Sequence, residues 1–271
     1  MSPLLRRKMC INFAPDRVSL SPVRGGLPRR DLSPTLNDSH GTACDTTAGE
    51  SSWHAPLQAL QSLLPDLRDS RAEATVILSN QFMRYTLVPW SENLANADEE
   101  LAYSRHCFTR VYGQVADNWV LRLDHGLAGT PRLASAVDAD LIEGLRGAFD
   151  TAGIPLKSIQ PYLMAAFNAC RRDMPQSSAW FAVLEPGNLS LGLLDHGRWL
   201  QVRSMRIGDV WHAELPLILE REAYLAGKPA VSREVYVWGA GAGEAAFPES
   251  GSWQFHALGH KLAPAARATA G

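Results

Sequence analysis

The chain has 271 residues, 46% of them hydrophobic and 20% charged, with a formal net charge of -2. That composition supplies a core for one large α/β unit or two ordinary lobes and excludes global disorder. With 26 basic against 28 acidic residues, no surplus of positive charge draws the chain to nucleic acid or to an anionic membrane.

Cys10, Cys44, Cys107 and Cys170 stand far apart with no C-x-x-C pair, which argues against a zinc site and a disulfide framework. Arg6, Arg7 and Lys8 precede an apolar stretch that Asn12, Pro15 and Asp16 break, too short and polar for a signal peptide. No run of about 20 apolar residues occurs, so no spanning helix is expected.

Met9 to Phe13 and Val18 to Val23 read as a hairpin around the turn Ala14-Pro15-Asp16-Arg17. Residues 24 to 52 are rich in Gly, Pro, Ser and Thr and predict a long loop with one weak strand near Ala43 to Asp45. Leu57, Leu60, Leu63 and Leu64 give Trp53 to Leu64 a helical period. Ala74 to Leu78 is an apolar run suited to a buried strand, and Phe82 to Trp90 is a second extended run.

Asp98, Glu99 and Glu100 complement the dipole of a helix from Asp98 to Tyr112 that Gly113 ends. Strands follow at Asn118 to Leu123 and Leu133 to Val137. Asp138 then caps a helix through Phe149, closed by Gly153. Ile159 to Arg172 predicts another helix with Pro161 in its first turn. Trp180 to Leu184, Leu189 to Leu194 and Arg198 to Met205 form a meander. Val210 to Leu225 is helical with a kink expected at Pro216, and Glu234 to Trp238 is a strand running into Gly239-Ala240-Gly241-Ala242-Gly243.

A hairpin followed by mixed elements thus recurs as a meander with its own helix and strand, a loose internal duplication. The expected organisation is a flexible N-terminus (1–8), a first lobe (9–172), a reduced second lobe (173–258) and a flexible tail (259–271).

This order of elements resembles the actin-like, or ribonuclease H-like, α/β family, and within it the PilM and GspL type of pilus and type II secretion assembly proteins. The hairpin Ile11 to Leu20 stands at the family's first phosphate loop. Val76-Ile77-Leu78-Ser79-Asn80 with Phe82 to Trp90 resembles its strand pair, and Asp98-Glu99-Glu100-Leu101 the acidic start of its next helix. Glu185-Pro186-Gly187-Asn188 stands at the second phosphate loop, and Gly239 to Gly243 resembles the glycine turn that receives adenosine.

The resemblance implies two lobes with a reduced second one, a cytoplasmic location at the inner membrane through partners, and docking on inner-membrane assembly proteins. A second copy of the chain is another candidate partner. It also implies candidate nucleotide contacts at Asn12, Asp16, Arg17, Glu185, Gly187, Asn188, Gly239, Gly241 and Gly243.

An ATPase of this kind needs a carboxylate at the end of its first strand for the Mg²⁺-bound water and free N–H groups for phosphate. Asn12 and Phe13 stand at that strand end, and Pro15 and Pro186 have no N–H to donate. The expectation is therefore a scaffold with no catalytic residue, no metal site and no required cofactor. ATP with magnesium, in an ATPase or small-molecule kinase, is the alternative.

A dinucleotide fingerprint at Gly239 to Gly243 fails because no helix can follow in a βαβ unit. A tight turn and a vestigial adenosine contact both stay open there. A two-metal nuclease would need converging acids, and the first strand has none. His106 and Cys107 are adjacent on a helix and point about 100° apart, so a buried thiol beside a surface imidazole is expected instead of a catalytic pair. Trp90 and Trp211 are candidate partner anchors, since tryptophan is enriched at interface centres.

Overall fold

A computed structural model describes residues 8–23, 41–43, 52–70, 72–227, 232–239, 247 and 252–258. The tail 259–271 and most of the N-terminal segment 1–8 lie outside the described residues.

Strands β1 (Lys8–Ala14), β2 (Arg17–Val23) and β3 (Gly41–Ala43) form an antiparallel meander. Helix α1 (His54–Leu63) returns the chain to β4 (Glu73–Leu78), which pairs parallel with β1. A 3₁₀ turn at Asn80–Phe82 then leads into an insert. The insert holds β5 (Arg84–Val88), α2 (Ala97–Tyr112), β6 (Trp119–Leu123), β7 (Arg132–Asp138) and α3 (Ala139–Ala152). Strand β8 (Leu156–Pro161) rejoins the first sheet beside β4, and α4 (Tyr162–Cys170) follows.

The second half repeats the plan with β9 (Ala179–Glu185), β10 (Asn188–Asp195), β11 (Arg198–Arg206), α5 (Trp211–Leu225), β12 (Glu234–Gly239) and β13 (Gln254–Leu258). The sheets run β3-β2-β1-β4-β8 and β11-β10-β9-β12-β13, with a three-stranded sheet β5-β7-β6 in the insert. The expected duplication is thus an identity of strand order: an antiparallel meander whose first strand pairs parallel with the strand after a helix.

Local chemistry explains the helix ends. Asn96 accepts from the Glu99 N–H at 3.0 Å while the Glu99 carboxylate accepts from the Ala95 N–H at 2.8 Å, a reciprocal cap at the start of α2. Asp138 caps α3 by accepting from Asp140 N–H at 3.0 Å, and Gly153 ends it in the left-handed region at φ 68°. Helix α5 continues through Pro216.

Two expectations are corrected. Residues 159–161 belong to β8, not to the helix expected from Ile159, because β4 offers them a parallel ladder and Pro161 serves as the helix N-cap. The second lobe carries β13 after β12, where only one strand was expected. Of the weak strand expected at Ala43 to Asp45, Ala43 ends β3, and residues 44–45 lie outside the described residues.

One hydrophobic core joins the two sheets. Ile11, Phe13, Val76 and Leu78 from the first sheet share it with Phe181, Val183, Trp199 and Trp238 from the second. Phe167 of α4 sits between the sheets, with ring centroids 5.9 Å from Phe181 and 5.0 Å from Trp199. A second cluster packs α5 on the outer face of the second sheet through Leu215 and Leu219. A third, around Phe108, holds α2 on the insert sheet.

Candidate functional site

The turns Pro15-Asp16 and Pro186-Gly187 occupy equivalent hairpins of the two sheets. Proline sets the first turn residue, and Gly187 at φ 71° supplies the positive angle of a type II turn. At the end of the β1–β4 ladder, Ser79 N–H donates to the Phe13 carbonyl at 2.9 Å, and the 3₁₀ turn begins there. The Ser79 hydroxyl caps that turn by accepting from Gln81 N–H at 3.2 Å.

Asn80, 1% exposed, is the centre of the contact. Its backbone N–H donates to both oxygens of the Glu185 carboxylate, at 3.0 and 3.2 Å. Its side-chain carbonyl accepts from the Tyr85 hydroxyl at 2.7 Å and from Leu163 N–H at 2.9 Å. One residue therefore ties together the insert, α4 and the second sheet. Gln81 adds a bond from its amide to the Pro186 carbonyl at 3.1 Å, and Trp238 donates to the Tyr162 hydroxyl at 3.1 Å.

Burial raises the Glu185 pKa, and Ser79, the Asn80 N–H and the amides of Asn80 and Asn188 oppose that rise in part. The two amide nitrogens face the carboxylate without closing a hydrogen bond of ordinary geometry. Burial also pushes the Tyr85 and Tyr162 hydroxyls up, and the Glu185 charge adds to both.

The residues singled out from sequence separate into several places. Asn12 is partly buried in β1, paired with Ser19 and Ile77. Asp16 and Arg17 are exposed at the first turn. Glu185 holds Asn80, Gly187 lies at the lip of a cleft, and Asn188 is buried in its wall. Gly239 ends β12 at φ 126°, where an added Cβ would stand 2.3 Å from the Leu184 carbonyl oxygen. Gly241 and Gly243 lie outside the described residues. Trp90 is 45% exposed, whereas Trp211 is half-buried against Phe247 with centroids 5.8 Å apart. His106 is exposed and Cys107 buried, with the thiol pKa raised by burial.

Sequence reasoning did not single out Asn80 as a junction. The signal was a polar Ser79-Asn80 pair closing an apolar strand, but its partners are 83 and 105 residues away.

Two concavities flank this junction. The cleft, of about 520 Å³, is lined by Pro15, Asn80, Arg84, Asn188, Arg203 and Arg206 among others. Among the described residues no carboxylate lines it, and none form a cluster of three or more His, Cys, Asp or Glu placed for a metal ion. These donors do not match what magnesium requires, since that ion takes oxygen ligands and usually one or two carboxylates.

The groove, of about 630 Å³, runs between β8 and β6, with Leu78, Leu133, Ile142 and Met164 contributing apolar surface. Among the described residues β8 and β6 are sheet edges, each hydrogen-bonded to one neighbour only. Arg122, Arg146 and Lys157 stand with Asp124 and Asp150 along it.

No protein-family model matches the chain, and no curated protein matches it. Solved structures do. The cytoplasmic domain of EpsL, an inner-membrane component of the type II secretion system of Vibrio cholerae, superposes with a TM-score of 0.57 at 10% identity, covering 93% of this chain and 89% of that one. The PilM–PilN type IV pilus biogenesis complex gives 0.59 at 14% identity over 87% and 82%. A Bacteroides thetaiotaomicron protein with an actin-like ATPase fold and unknown function gives 0.52 at 9% identity over 86% and 81%.

The fold is actin-like. These neighbours include both kinds of assembly protein that the sequence resembles, at identities that speak for architecture. Among the described residues, no helix of this actin-like chain is long and apolar enough to cross a membrane.

Proposed function

We propose that the chain is a non-catalytic cytoplasmic scaffold of a type IV pilus or type II secretion-like assembly. On this reading it binds an extended segment of an inner-membrane partner in the groove between β8 and β6. The observation that carries the reading is the pair of open strand edges facing one concavity. Unpaired N–H and C=O groups on both walls can add a strand, and apolar side chains between them select its residues. The mixed charges along the groove suit a segment with a short charged flank.

Architectural likeness to EpsL and PilM supports the same role. The engagement of Glu185 by Asn80, and prolines in both turns, weigh on the side of a scaffold. Trp90 is the more available of the two candidate anchors, because Trp211 is partly covered by its own lobe.

The test is fluorescence anisotropy of the full chain against synthetic cytoplasmic tails of its host's single-span pilus and secretion proteins, with ATP turnover measured in parallel. A saturable tail that Val120→Glu, a groove substitution, releases is the expected result. Tails that never bind, together with ATP turnover, would overturn the proposal in favour of an ATPase or small-molecule kinase.

A further inference from the structure

Helix α5 turns one face inward and leaves another uncovered. Leu215 and Leu219 pack on the second sheet, and Glu222 is buried with them. On the opposite face Val210, Leu217, Tyr224 and Leu225 are exposed, Leu217 by 73% and Tyr224 by 86%. At about 100° of turn per residue, Val210, Ala213, Leu217 and Tyr224 fall within about 40° of one line along the helix. That line is roughly 20 Å long. An apolar stripe of this kind, rimmed by charge, marks a surface for association. The rim carries two glutamates and one arginine, Glu214, Glu220 and Arg221, and so lacks the basic excess that would hold the helix on an anionic membrane.

The arrangement of that rim points to the occupant. Glu214 and Arg221 lie on the same flank of the stripe, about 10 Å apart along the axis, too far to pair within one helix. Among the described residues Glu214 has no ion pair. Arg221 and Arg203 share the one buried Glu222 carboxylate, at 2.8 and 3.7 Å, which leaves a positive charge uncompensated. On the other flank Glu220 is already engaged by Arg233 at 2.6 Å and Ser252 at 3.1 Å. We infer that two copies of this chain pair through α5, antiparallel about a two-fold axis between Leu217 and Ile218. Glu214 and Arg221 stand equally far from that axis, as do Val210 and Leu225. Each Glu214 therefore meets Arg221 of the second copy, and the two Leu217 side chains meet at the centre. A parallel pairing would set Glu214 against Glu214 and Arg221 against Arg221, so charge selects the antiparallel one. An interface this short gives weak, reversible association. The groove between β8 and β6 belongs to the first sheet and the insert, so this inference does not rest on the partner reading proposed above.

The test is sedimentation velocity of the full chain over about 1–100 μM. A shift from monomer toward dimer with rising concentration is the expected result. Leu217→Asp sets two like charges at the centre and should keep the chain monomeric throughout, with its melting temperature unchanged because the side chain is exposed. Leu127→Asp, on an exposed residue of the insert, should leave the pairing as it is. Glu214→Arg and Arg221→Glu should each weaken the homodimer by roughly tenfold. Mixed together they should pair again, because opposite charges then meet at both contacts. Should Arg221→Glu fail to fold beside Glu222, Leu217→Asp and Glu214→Arg decide alone. A monomer at every concentration, a dimer that Leu217→Asp leaves intact, or folded charge variants that do not complement one another would each overturn the inference. Tail binding by Leu217→Asp, read in parallel, should be retained, so the two proposals fail separately.

Discussion

The turn from β1 to β2 and the turn from β9 to β10 stand at the same place in two sheets of the same strand order, and both begin with proline. The first leaves Asp16 and Arg17 in solvent. The second carries Glu185, whose carboxylate receives the Asn80 N–H from the other sheet. Equivalent turns therefore carry an exposed acid after the proline in one lobe and a structural acceptor before it in the other. A shared topology places backbone; the side chain at each turn decides whether the place binds a ligand or closes the molecule.

The strongest way to break the equivalence is at the shared core. Phe181 is fully buried between Phe167 and Trp199 in the core that the two sheets share. Phe181→Ala should lower stability by about 3–5 kcal/mol in denaturant unfolding. A loss below about 1 kcal/mol would mean that the two sheets do not share one core.

Next in size are the closing contacts of the second lobe. Gly239→Ala forces a Cβ against the Leu184 carbonyl oxygen at a positive φ, and should cost roughly 1–3 kcal/mol by thermal or denaturant melting. Glu185→Ala leaves the Asn80 N–H buried without its acceptor, for a loss of about 1–3 kcal/mol. Glu185→Gln keeps an oxygen for that N–H and should stay within about 1 kcal/mol of the parent.

The same pair sharpens the comparison through pH. Because burial raises the folded-state pKa of Glu185 above its unfolded value, its contribution is fully present below the unfolded value. It is lost as pH rises through the raised one. Melting temperature in the parent should therefore fall, relative to Glu185→Gln, as pH rises above the ordinary carboxylate range. Parallel curves for the two proteins would remove Glu185 as the titrating group. The smallest effect belongs to the first turn, where Asp16→Ala should change stability by less than about 0.5 kcal/mol.

Much of the fold was legible from residues. The spacing of Leu141, Leu145, Ala148 and Phe149, the cap at Asp138 and the stop at Gly153 predict α3 nearly to its ends. The apolar runs of β4, β9 and β10 were equally plain, because strands buried on both faces need no alternation. Strand β8 was not, since Leu156–Pro161 reads as an approach to a helix until β4 is set beside it. Strand β13 was missed for the same reason: Gln254–Leu258 is short, and only pairing with β12 makes it a strand.

The candidate site divides along the same line. Pro15, Pro186 and the absence of an acid at the end of β1 could be read directly, because a missing N–H or carboxylate is a property of one residue. The Asn80 junction, the arginine cleft and the groove between β8 and β6 could not, because each joins groups far apart in the chain. By itself the sequence determined the order of elements, their caps and the chemistry each turn lacks, all of which rest on local backbone preference and hydrophobic period. Only the tertiary structure decided which turn binds its own neighbour and which edges stay open, since hydrogen-bond partners and burial arise when distant segments meet.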